Sequence, residues 1–516
     1  MTEPALTIPA LLDAGAAAAT ALTAPGGQPL TYDALRSLVD ATRRSLNAHG
    51  IGANDRVAIV LDNGPAMAAA FLSIASAATA APLNPGYKAE EFEFYLTDLK
   101  AKLLVTARDT ESPAVGVATK LGVPIARLVA HPDSGAGTFT LDFPPPVGQP
   151  STPDSRHSAE LRPVEPDDIA LVLHTSGTTS RPKIVPLKQR NVCTSARNIR
   201  ETLSLADSDV GLCVMPLFHI HGLMAALLAP LSAGGTVCCS PGFNALKFFS
   251  WLGETRPTWY SAVPTMHQAI LARASKNKEF VAANRLRFVR SSSSSMPATV
   301  IHEVEALFGV PVVESYGMTE AAHQMASNPL PPAARKPGTV GPSAGPEIRV
   351  VDGTGRPVPS GATGEIVIRG ANVMSAYENN PKANADGFYD GWFRTGDQGT
   401  MDEDDYLTIT GRLKEIINRG GEKISPREVD EIIMEHPAVH QCVTFAVPHD
   451  MLGEEVAAAV VLREGHAADQ QELRAFAAQK LADFKVPKKI LILKEIPVGA
   501  TGKLQRIGLA AKLGLG

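Results

Sequence analysis

Helical and strand-like patterns of apolar residues alternate through the first 107 residues of the chain. Segment 30–50 places Leu35, Leu38 and Leu46 on one face of a helix, and Thr31 stands where a capping residue is needed. Short β-rich runs at 56–62, 80–85 and 103–107 are separated by helical segments at 65–79 and 88–102. Strand–helix–strand alternation predicts a parallel sheet covered by helices.

The same alternation resumes after Asp167, where the apolar run DIALVL at 168–173 leads into a polar loop. Further strands are predicted at 209–217, 258–264 and 286–292, with helices between them. A Pro/Ser/Asp-rich stretch at about 131–166 has the composition of a loop or a link between subdomains.

Two changes of pattern divide the rest of the chain. From 338 to 411 the β runs are punctuated by Gly, which predicts a small, mostly antiparallel region. Near 415 an α+β segment of roughly 100 residues begins. Its first helix carries Ser425 as cap, Pro426 at the first helical position and Glu428 three residues after the cap, which predicts a complete capping box. We therefore expect an α/β large domain at 1–412, made of parallel-sheet subdomains plus the β region, followed by a small α+β domain at 413–516.

Composition and charge narrow the function classes. The chain has 516 residues, of which 44% are hydrophobic and 20% charged, so two or more globular domains are expected. Its net charge of −5 provides no basic field for nucleic acid or for an anionic membrane. The five cysteines have no metal-ligand spacing, and their odd number predicts reduced thiols in a cytoplasmic protein.

The polar loop HTSGTTSRPKIVPL at 174–187 is the first candidate for chemistry. Its hydroxyls, Gly177 and Lys183 are suited to binding phosphate. It is not the familiar P-loop, because Pro182 stands where that motif has its second Gly and Ile184 where it has the hydroxyl that binds Mg²⁺. A solvated Ser/Thr turn is the alternative that the loop alone leaves open.

Five further motifs follow this loop in a fixed order: PLFHIHG at 216–222, ESYGMTE at 314–320, GWFRTGD at 391–397, GRLKEIINRGGEKISP at 411–426 and PVGATGKLQR at 497–506. Together they resemble the adenylate-forming superfamily, which includes acyl-CoA synthetases, over essentially the whole chain. The resemblance implies a large N-terminal domain, a small mobile C-terminal domain, and ATP, CoA and Mg²⁺ as participants. Ile184 departs from the family pattern, which usually has Gly there, and is expected to be tolerated where the backbone is β-like.

The resemblance also assigns roles at the nucleotide. The implied ATP-binding set is Thr175, Ser176, Gly177, Thr178, Thr179, Lys183, Ser315, Tyr316, Gly317, Met318, Asp397, Arg412 and Lys423. Within it, Tyr316 would stack on adenine, and Asp397, helped by Arg412, would bind the ribose hydroxyls. Thr319 would touch phosphate, and Glu320 would hold Mg²⁺, which commonly takes one or two carboxylates plus phosphate oxygens.

The C-terminal motifs carry the remaining implied roles. Lys503 matches the catalytic lysine that bridges carboxylate and phosphate during adenylation. Lys414 falls at the hinge position about which the small domain would rotate, and Gly420 and Gly421 would let CoA pass close to the backbone. Since 13 residues follow Lys503, free CoA is the expected acceptor rather than a tethered thiol.

The acid itself is indicated by a polar cluster. His219, the His of PLFH, would sit beside the reacting carboxylate, and the substrate set further includes His221, Ser292, Ser293 and His323. Such a donor-rich pocket suits a short acid with a second negative charge, whereas a fatty acid needs an apolar tunnel. The motifs, with Ser180 in place of the commoner Gly, resemble those of plant and fungal oxalate–CoA ligases.

Three alternatives stay open at this stage. His219 and His221 could form a structural pair in a turn, and a His-x-His metal site is disfavoured because no third ligand stands nearby. The acid could be another short- or medium-chain carboxylic acid. The chain could also be a family member that binds nucleotide without catalysis, although Lys503, Glu320, Asp397 and Arg412 are all present.

Overall fold

The computed structural model describes residues 4–143, 162–175, 182–497 and 505–515. Within these ranges the strands form four sheets. The elements up to residue 143 are β1 (Thr20–Thr23), β2 (Leu30–Thr31), β3 (Arg56–Val60), β4 (Thr79–Pro82), β5 (Leu103–Ala107), β6 (Ile125–Ala130) and β7 (Phe139–Asp142), with helices α1 (Ile8–Leu12), α2 (Tyr32–Ala48), α3 (Pro65–Ala75), α4 (Ala89–Leu99) and α5 (Pro113–Leu121).

The second stretch runs from residue 162 to residue 327. Its strands are β8 (Ile169–Thr175), β9 (Lys183–Lys188), β10 (Val210–Cys213), β11 (Thr236–Cys239), β12 (Trp259–Ala262), β13 (Phe288–Ser291), β14 (Val312–Met318) and β15 (His323–Ser327). Its helices are α6 (Gln189–Thr202), α7 (Ala229–Ser232), α8 (Phe248–Thr255), α9 (Pro264–Ala274), α10 (Lys278–Ala282) and α11 (Ala298–Phe308), and a π-helical segment covers Gly222–Leu228.

The third stretch comprises the remaining elements. These are strands β16 (Glu347–Val351), β17 (Gly364–Arg369), β18 (Phe388–Tyr389), β19 (Trp392–Met401), β20 (Leu407–Arg412), β21 (Ile417–Arg419), β22 (Glu422–Ile424), β23 (Val439–His449), β24 (Gly453–Leu462) and β25 (Lys489–Leu493), with helices α12 (Pro381–Gly387), α13 (Pro426–Met434), α14 (Gln470–Ala478) and α15 (Leu509–Lys512).

Two large sheets form the first part of the molecule, as the alternating pattern predicts. The seven-stranded sheet has the order β7-β6-β5-β3-β4-β8-β9, parallel except for its two edge strands. The eight-stranded sheet has the order β15-β14-β13-β12-β10-β11-β1-β2 and is likewise antiparallel only at its edges. The parallel strands are buried on both faces because helices cover them, which explains their continuous apolar runs.

The other two sheets also follow the predicted change of pattern. Strands β16 to β20 form a five-stranded antiparallel sheet, and β21 to β25 form a mixed sheet packed with α13 and α14. The predicted α/β fold with a smaller α+β C-terminal part is therefore present, while the domain boundary at 412 stays a prediction.

Two local expectations need correction. At α13 the Ser425 hydroxyl does accept from the Glu428 amide at 3.4 Å, but the Glu428 carboxylate binds Lys485 Nζ at 2.6 and 2.8 Å. Only half of the predicted capping box is therefore formed. In the stretch at 131–166, residues 139–142 form β7 and pair with β6, so this part is an edge strand rather than a link.

All five cysteines are free thiols buried in the interior. Burial raises the pKa of Cys193, Cys213 and Cys238 to about 12. Within the described ranges, no helix is both long enough and apolar enough to cross a membrane.

Candidate active site

A cavity of about 810 Å³ opens where the first three sheets and the start of the C-terminal part meet. The carboxyl end of β14 and the loop after β13 reach it, and these two strands are parallel neighbours, so their ends lie at one sheet edge. The structure brings together on its wall Thr175, Lys183, His219, Ser293, Gly317, Met318, Thr319, Glu320, His323, Asp397, Arg412 and Lys414.

One end of the cavity carries the polar loop of the sequence. Strands β8 and β9 pair with Thr175 opposite Lys183, so the two ends of the loop meet at the wall. Ser176, Gly177, Thr178 and Thr179 lie outside the described residues. Lys183 Nζ lies 4.3 Å from the centre of the Tyr377 ring. Burial lowers the pKa of Lys183, Glu320 opposes that shift, and Lys414 adds to it.

Glu320 lies in the 3-10 turn Thr319–Ala321 between β14 and β15. Its carboxylate is almost fully buried and accepts a hydrogen bond of 2.7 Å from the Tyr377 hydroxyl. Burial raises the pKa of Glu320, against the opposing effects of Tyr377, Lys183 and Arg412. Within the described residues no group of three or more His, Cys, Asp or Glu side chains could hold a metal ion. A single carboxylate beside a loop that is predicted to bind phosphate fits Mg²⁺ that arrives with ATP.

Tyr377 is a site residue that sequence reasoning missed. It contacts both Lys183 and Glu320 and lines the cavity, although it lies far from both in the sequence. Its short segment SAYEN carries no motif of its own. Only the fold reveals that this tyrosine joins the predicted phosphate and metal residues.

Another part of the cavity wall carries a buried acid. Asp397 on β19 pairs in register with Arg412 on β20, and Arg412 Nε lies 3.2 Å from Asp397 Oδ1. The Tyr316 hydroxyl donates to Asp397 Oδ2. Burial raises the pKa of Asp397, although Arg412 and Tyr316 hold the carboxylate form. Tyr316 is buried and supports Asp397 through its hydroxyl, and its contact with adenine stays a prediction.

The histidines and serines divide into two layers. His219, Ser293 and His323 line the cavity, whereas His221 and Ser292 are buried behind it. Ser293 and His323 have φ of +72° and +94°, a region that costs non-glycine residues free energy and often marks functional sites. The outer layer therefore provides the predicted polar lining.

Three predicted site residues have structural partners in or beside the second layer. Ser292 Oγ donates to the Ser315 carbonyl at 3.0 Å, and Ser315 Oγ donates to the Ser291 carbonyl at 3.3 Å, so these two hydroxyls join β13 to β14. The His221 amide donates to His219 Nδ1 at 3.3 Å, and the His221 ring is fully buried. His221 thus supports the wall, as in the alternative of a structural pair, and does not form its surface.

Arg290 is the second site residue that sequence reasoning missed. It lies on β13, is completely buried, and donates to both His221 and His323. The signal was present in the sequence: a cation stands inside the apolar strand LRFVRSS, and buried arginines need a reason.

Of the predicted site residues in the C-terminal part, some line the cavity and others do not. Lys414 lines the cavity directly after β20, but Gly420, Gly421 and Lys423 lie in the exposed hairpin β21–β22 and do not line it. Gly420 and Gly421 have φ of +58° and +100°, which suits glycine in that turn. Lys503 lies outside the described residues.

Comparison with known proteins extends these observations. Residues 13–378 match the AMP-binding enzyme family and residues 428–503 match the AMP-binding enzyme C-terminal domain. A probable CoA ligase of Humulus lupulus is 46% identical, with 94% of this chain and 92% of the relative covered. An oxalate–CoA ligase of Arabidopsis thaliana is 44% identical (94% of each chain covered), and one of Saccharomyces cerevisiae is 41% identical (88% and 86% covered).

A solved structure agrees with the sequence relatives. ATP-bound MatB from Rhodopseudomonas palustris superposes with a TM-score of 0.86 at 28% identity, covering 98% of both chains. The apo form of the same protein gives 0.77, so the present arrangement is closer to the ATP-bound form. The described fold, the convergence of the motif residues and these similarities establish that the chain belongs to the AMP-binding enzyme family, within its acyl-CoA synthetase group.

Proposed function

We propose that the chain is an ATP-dependent acid–CoA ligase whose acid is oxalate. The observation that carries the proposal is the composition of the cavity wall: it combines residues predicted to bind phosphate and ribose with the polar side chains of His219, Ser293 and His323. The relatives named oxalate–CoA ligase, at 44% and 41% identity, support the choice of acid.

The reaction explains why both parts are needed. A carboxylate is a poor electrophile, since its leaving group would be oxide. One oxygen of the acid attacks the α-phosphorus of ATP, the bond to the β-phosphate breaks, and diphosphate leaves. The sulfur of CoA then attacks the acyl carbon, and AMP leaves with the electron pair of the broken C–O bond. Each step brings negative groups together, so positive charge and hydrogen-bond donors must surround the reacting atoms.

The residues of the cavity divide this work. Lys183 and Thr175 would hold the outgoing diphosphate, and Asp397 with Arg412 would fix the ribose. Glu320, with phosphate oxygens, would hold Mg²⁺, which supplies positive charge at the transferring phosphate when bound. The β21–β22 hairpin would approach the cavity only after the C-terminal part rotates at Lys414, and free CoA would then enter beside Gly420 and Gly421.

The acid is tested with a panel of substrates. Purified protein is given ATP, Mg²⁺ and CoA with oxalate, malonate, acetate or hexanoate, and diphosphate, AMP and the thioester are measured. Oxalate should give the highest kcat/KM, with one AMP per thioester. Activity with hexanoate but none with oxalate would replace the acid by a medium-chain one. Diphosphate release that does not depend on any acid would support the non-catalytic alternative.

The role of Lys503 is tested separately. Lys503→Ala should lower the rate of adenylation by at least about 100-fold, because it removes a cation from the reacting centre. Thioester formation from supplied oxalyl-adenylate and CoA should survive. Lys489→Ala, an exposed lysine on β25, is the matched control. Equal rates for Lys503→Ala and the control would refute the assignment.

A further inference from the structure

A completely buried cation lies behind the acid end of the cavity. Arg290 has no exposed surface, and among the described residues no carboxylate forms an ion pair with it. Burial lowers the pKa of Arg290 to about 9, so the guanidinium keeps its charge at neutral pH. A buried charge without a counter-ion is destabilising, and retaining one calls for a functional reason.

The hydrogen bonds of Arg290 fix the protons of two histidines. Nη1 lies 3.3 Å from His221 Nε2 and 3.2 Å from Ser261 Oγ. Nη2 lies 3.2 Å from His323 Nε2 and 3.3 Å from Gln324 Oε1. A guanidinium has donors only, so both imidazoles accept at Nε2. Ser261 Oγ lies 2.6 Å from His221 Nε2, and because this oxygen accepts from Arg290, its own hydrogen is donated to the same nitrogen. In their neutral forms both histidines therefore carry their proton on Nδ1.

The proton on Nδ1 of His221 is donated to a side chain that lines the cavity. His221 Nδ1 lies 3.0 Å from Ser293 Oγ, and its proton makes Ser293 the acceptor of that bond. The hydroxyl hydrogen of Ser293, which lines the cavity, is then available as a donor toward a substrate. His323 itself also lines the cavity. The arrangement thus orients the Ser293 hydroxyl as a donor at the wall and places one full positive charge behind it.

The two imidazoles also connect the charge to the cavity. Their rings stack with centres 4.8 Å apart and an angle of 19°, and both bind the same guanidinium. A positive charge in a low-dielectric wall attracts an anion much more strongly than it would in water. An acid with one carboxylate uses that group for adenylation, so a second negative group is required to exploit this charge.

We propose that Arg290 is a specificity-determining positioning residue, which acts through His221 and His323 to select acids that carry a second carboxylate. The proposal rests on the proposed ligase function and deepens it. The distal carboxylate of the substrate is the counter-ion that Arg290 lacks within the described residues.

The first test uses the unmodified enzyme. Oxamate has nearly the shape of oxalate but carries a neutral amide in place of one carboxylate. Oxalate is measured as substrate, and oxamate both as substrate and as competitor of oxalate. Because hydrogen bonds to charged groups are roughly twice as strong as neutral ones, oxamate should bind at least about tenfold more weakly. Equal affinities would overturn the proposal without any variant.

The second test separates selection from folding. Arg290→Gln should raise KM for oxalate at least about tenfold, abolish the preference over oxamate, and leave KM for ATP within about twofold. Arg290→Lys, which keeps the charge, should recover part of the preference. Arg287→Gln is the matched control, since Arg287 precedes the same strand but pairs with Asp209 at 2.7 and 2.8 Å. Thermal unfolding shows whether each variant folds.

The outcomes distinguish the two proposals. No turnover of oxalate by the unmodified enzyme would refute the ligase assignment itself. Turnover of oxalate with an undiminished preference over oxamate in Arg290→Gln would refute only the role of Arg290. A parallel rise of KM for oxalate and for ATP would show that Arg290 has only a structural role. That result would also overturn the proposal for Arg290. If Arg290→Gln does not fold, the proposal is decided by the preference for oxalate over oxamate, measured in the unmodified enzyme and in Arg290→Lys.

Discussion

At the scale of single residues, Ile184 shows how a departure from a family pattern can be absorbed. It lies on β9 opposite His174, so its backbone is extended, as tolerance of a β-branched residue requires. Its side chain is buried in the apolar cluster that includes Val172, Leu104 and Phe92. Ile184 therefore anchors β9, the strand that follows the predicted phosphate-binding loop, to the interior.

This packing predicts the effect of restoring glycine. Ile184→Gly should lower the free energy of unfolding by about 3–5 kcal/mol, because it removes a buried side chain, leaves a cavity and loosens a strand. Ile184→Val, the control, should cost about 1 kcal/mol. Urea unfolding measures both, and KM for ATP shows whether the anchor also supports nucleotide binding. An Ile184→Gly protein as stable as the Val variant would contradict this packing.

Single residues also mark the limit of sequence reasoning. Motif residues such as Lys183, Glu320 and Asp397 could be placed on one site because their order along the chain is diagnostic. Arg290 and Tyr377 could not, because each acts through partners that only the fold brings near. The hydroxyl of Ser292 joins two strands, and a serine run in the sequence does not reveal which hydroxyls do so and which face a cavity.

At the scale of elements, the residues of the candidate site lie at the ends of strands. Strand β14 also carries a buried acid, Glu314, which affects the pH dependence of stability. Glu314 is almost fully buried and accepts from the Gly338 amide at 3.2 Å. Burial raises the pKa of Glu314 to about 8, although the Gly338 amide, Arg427 and Arg335 oppose the shift. The loop that precedes the β16–β20 sheet is thus held to β14 by a group that is protonated at neutral pH.

The sign of the resulting pH dependence follows from proton binding. Between the ordinary glutamate pKa of about 4.3 and about 8, the folded state holds a proton on Glu314 that the unfolded state lacks. Stability should therefore fall as the pH rises through this window, by an amount on the order of 5 kcal/mol. Glu314→Gln keeps the acceptor and should remove this part of the slope. The stabilities of the two proteins are compared by thermal unfolding at pH values about one unit apart, from about pH 5 to about pH 8. Identical slopes would contradict the prediction.

Elements were the most predictable level of the structure. Continuous apolar runs predicted the parallel strands, and Thr31 caps α2 as expected, accepting from the Ala34 amide at 3.2 Å. The capping box failed at Glu428 because a distant lysine competes for its carboxylate. Local rules therefore hold until a tertiary partner offers a stronger interaction.

At the scale of the whole molecule, Arg506 joins segments that are far apart in the sequence. Its Nη1 lies 2.6 Å from Asp430 Oδ2 and donates to the Thr444 carbonyl at 3.0 Å. Its Nε lies 3.2 Å from Glu415 Oε2, directly after the expected hinge at Lys414. Since Arg506 follows Lys503 by three positions, this ion pair connects the C-terminal motif to the hinge region.

Removing this connection should be costly. Arg506→Met should destabilise the protein by about 3–5 kcal/mol, because it leaves the buried Asp430 carboxylate unpaired. Adding Asp430→Asn should recover part of the loss, since the asparagine oxygen can still accept from Thr444. Lys480→Met, which breaks an exposed pair with Glu435, should cost no more than about 1 kcal/mol. Chemical unfolding ranks the variants, and an Arg506→Met protein no weaker than Lys480→Met would contradict the assignment.

The buried cysteines have a practical consequence for following the reaction. All five lie in the interior with suppressed thiolate formation, so the native protein offers little to a thiol-specific dye. The sulfhydryl of free CoA is then the reactive one in the mixture, and it disappears when the thioester forms. Its loss can be recorded colorimetrically in timed samples, without labels or coupling enzymes.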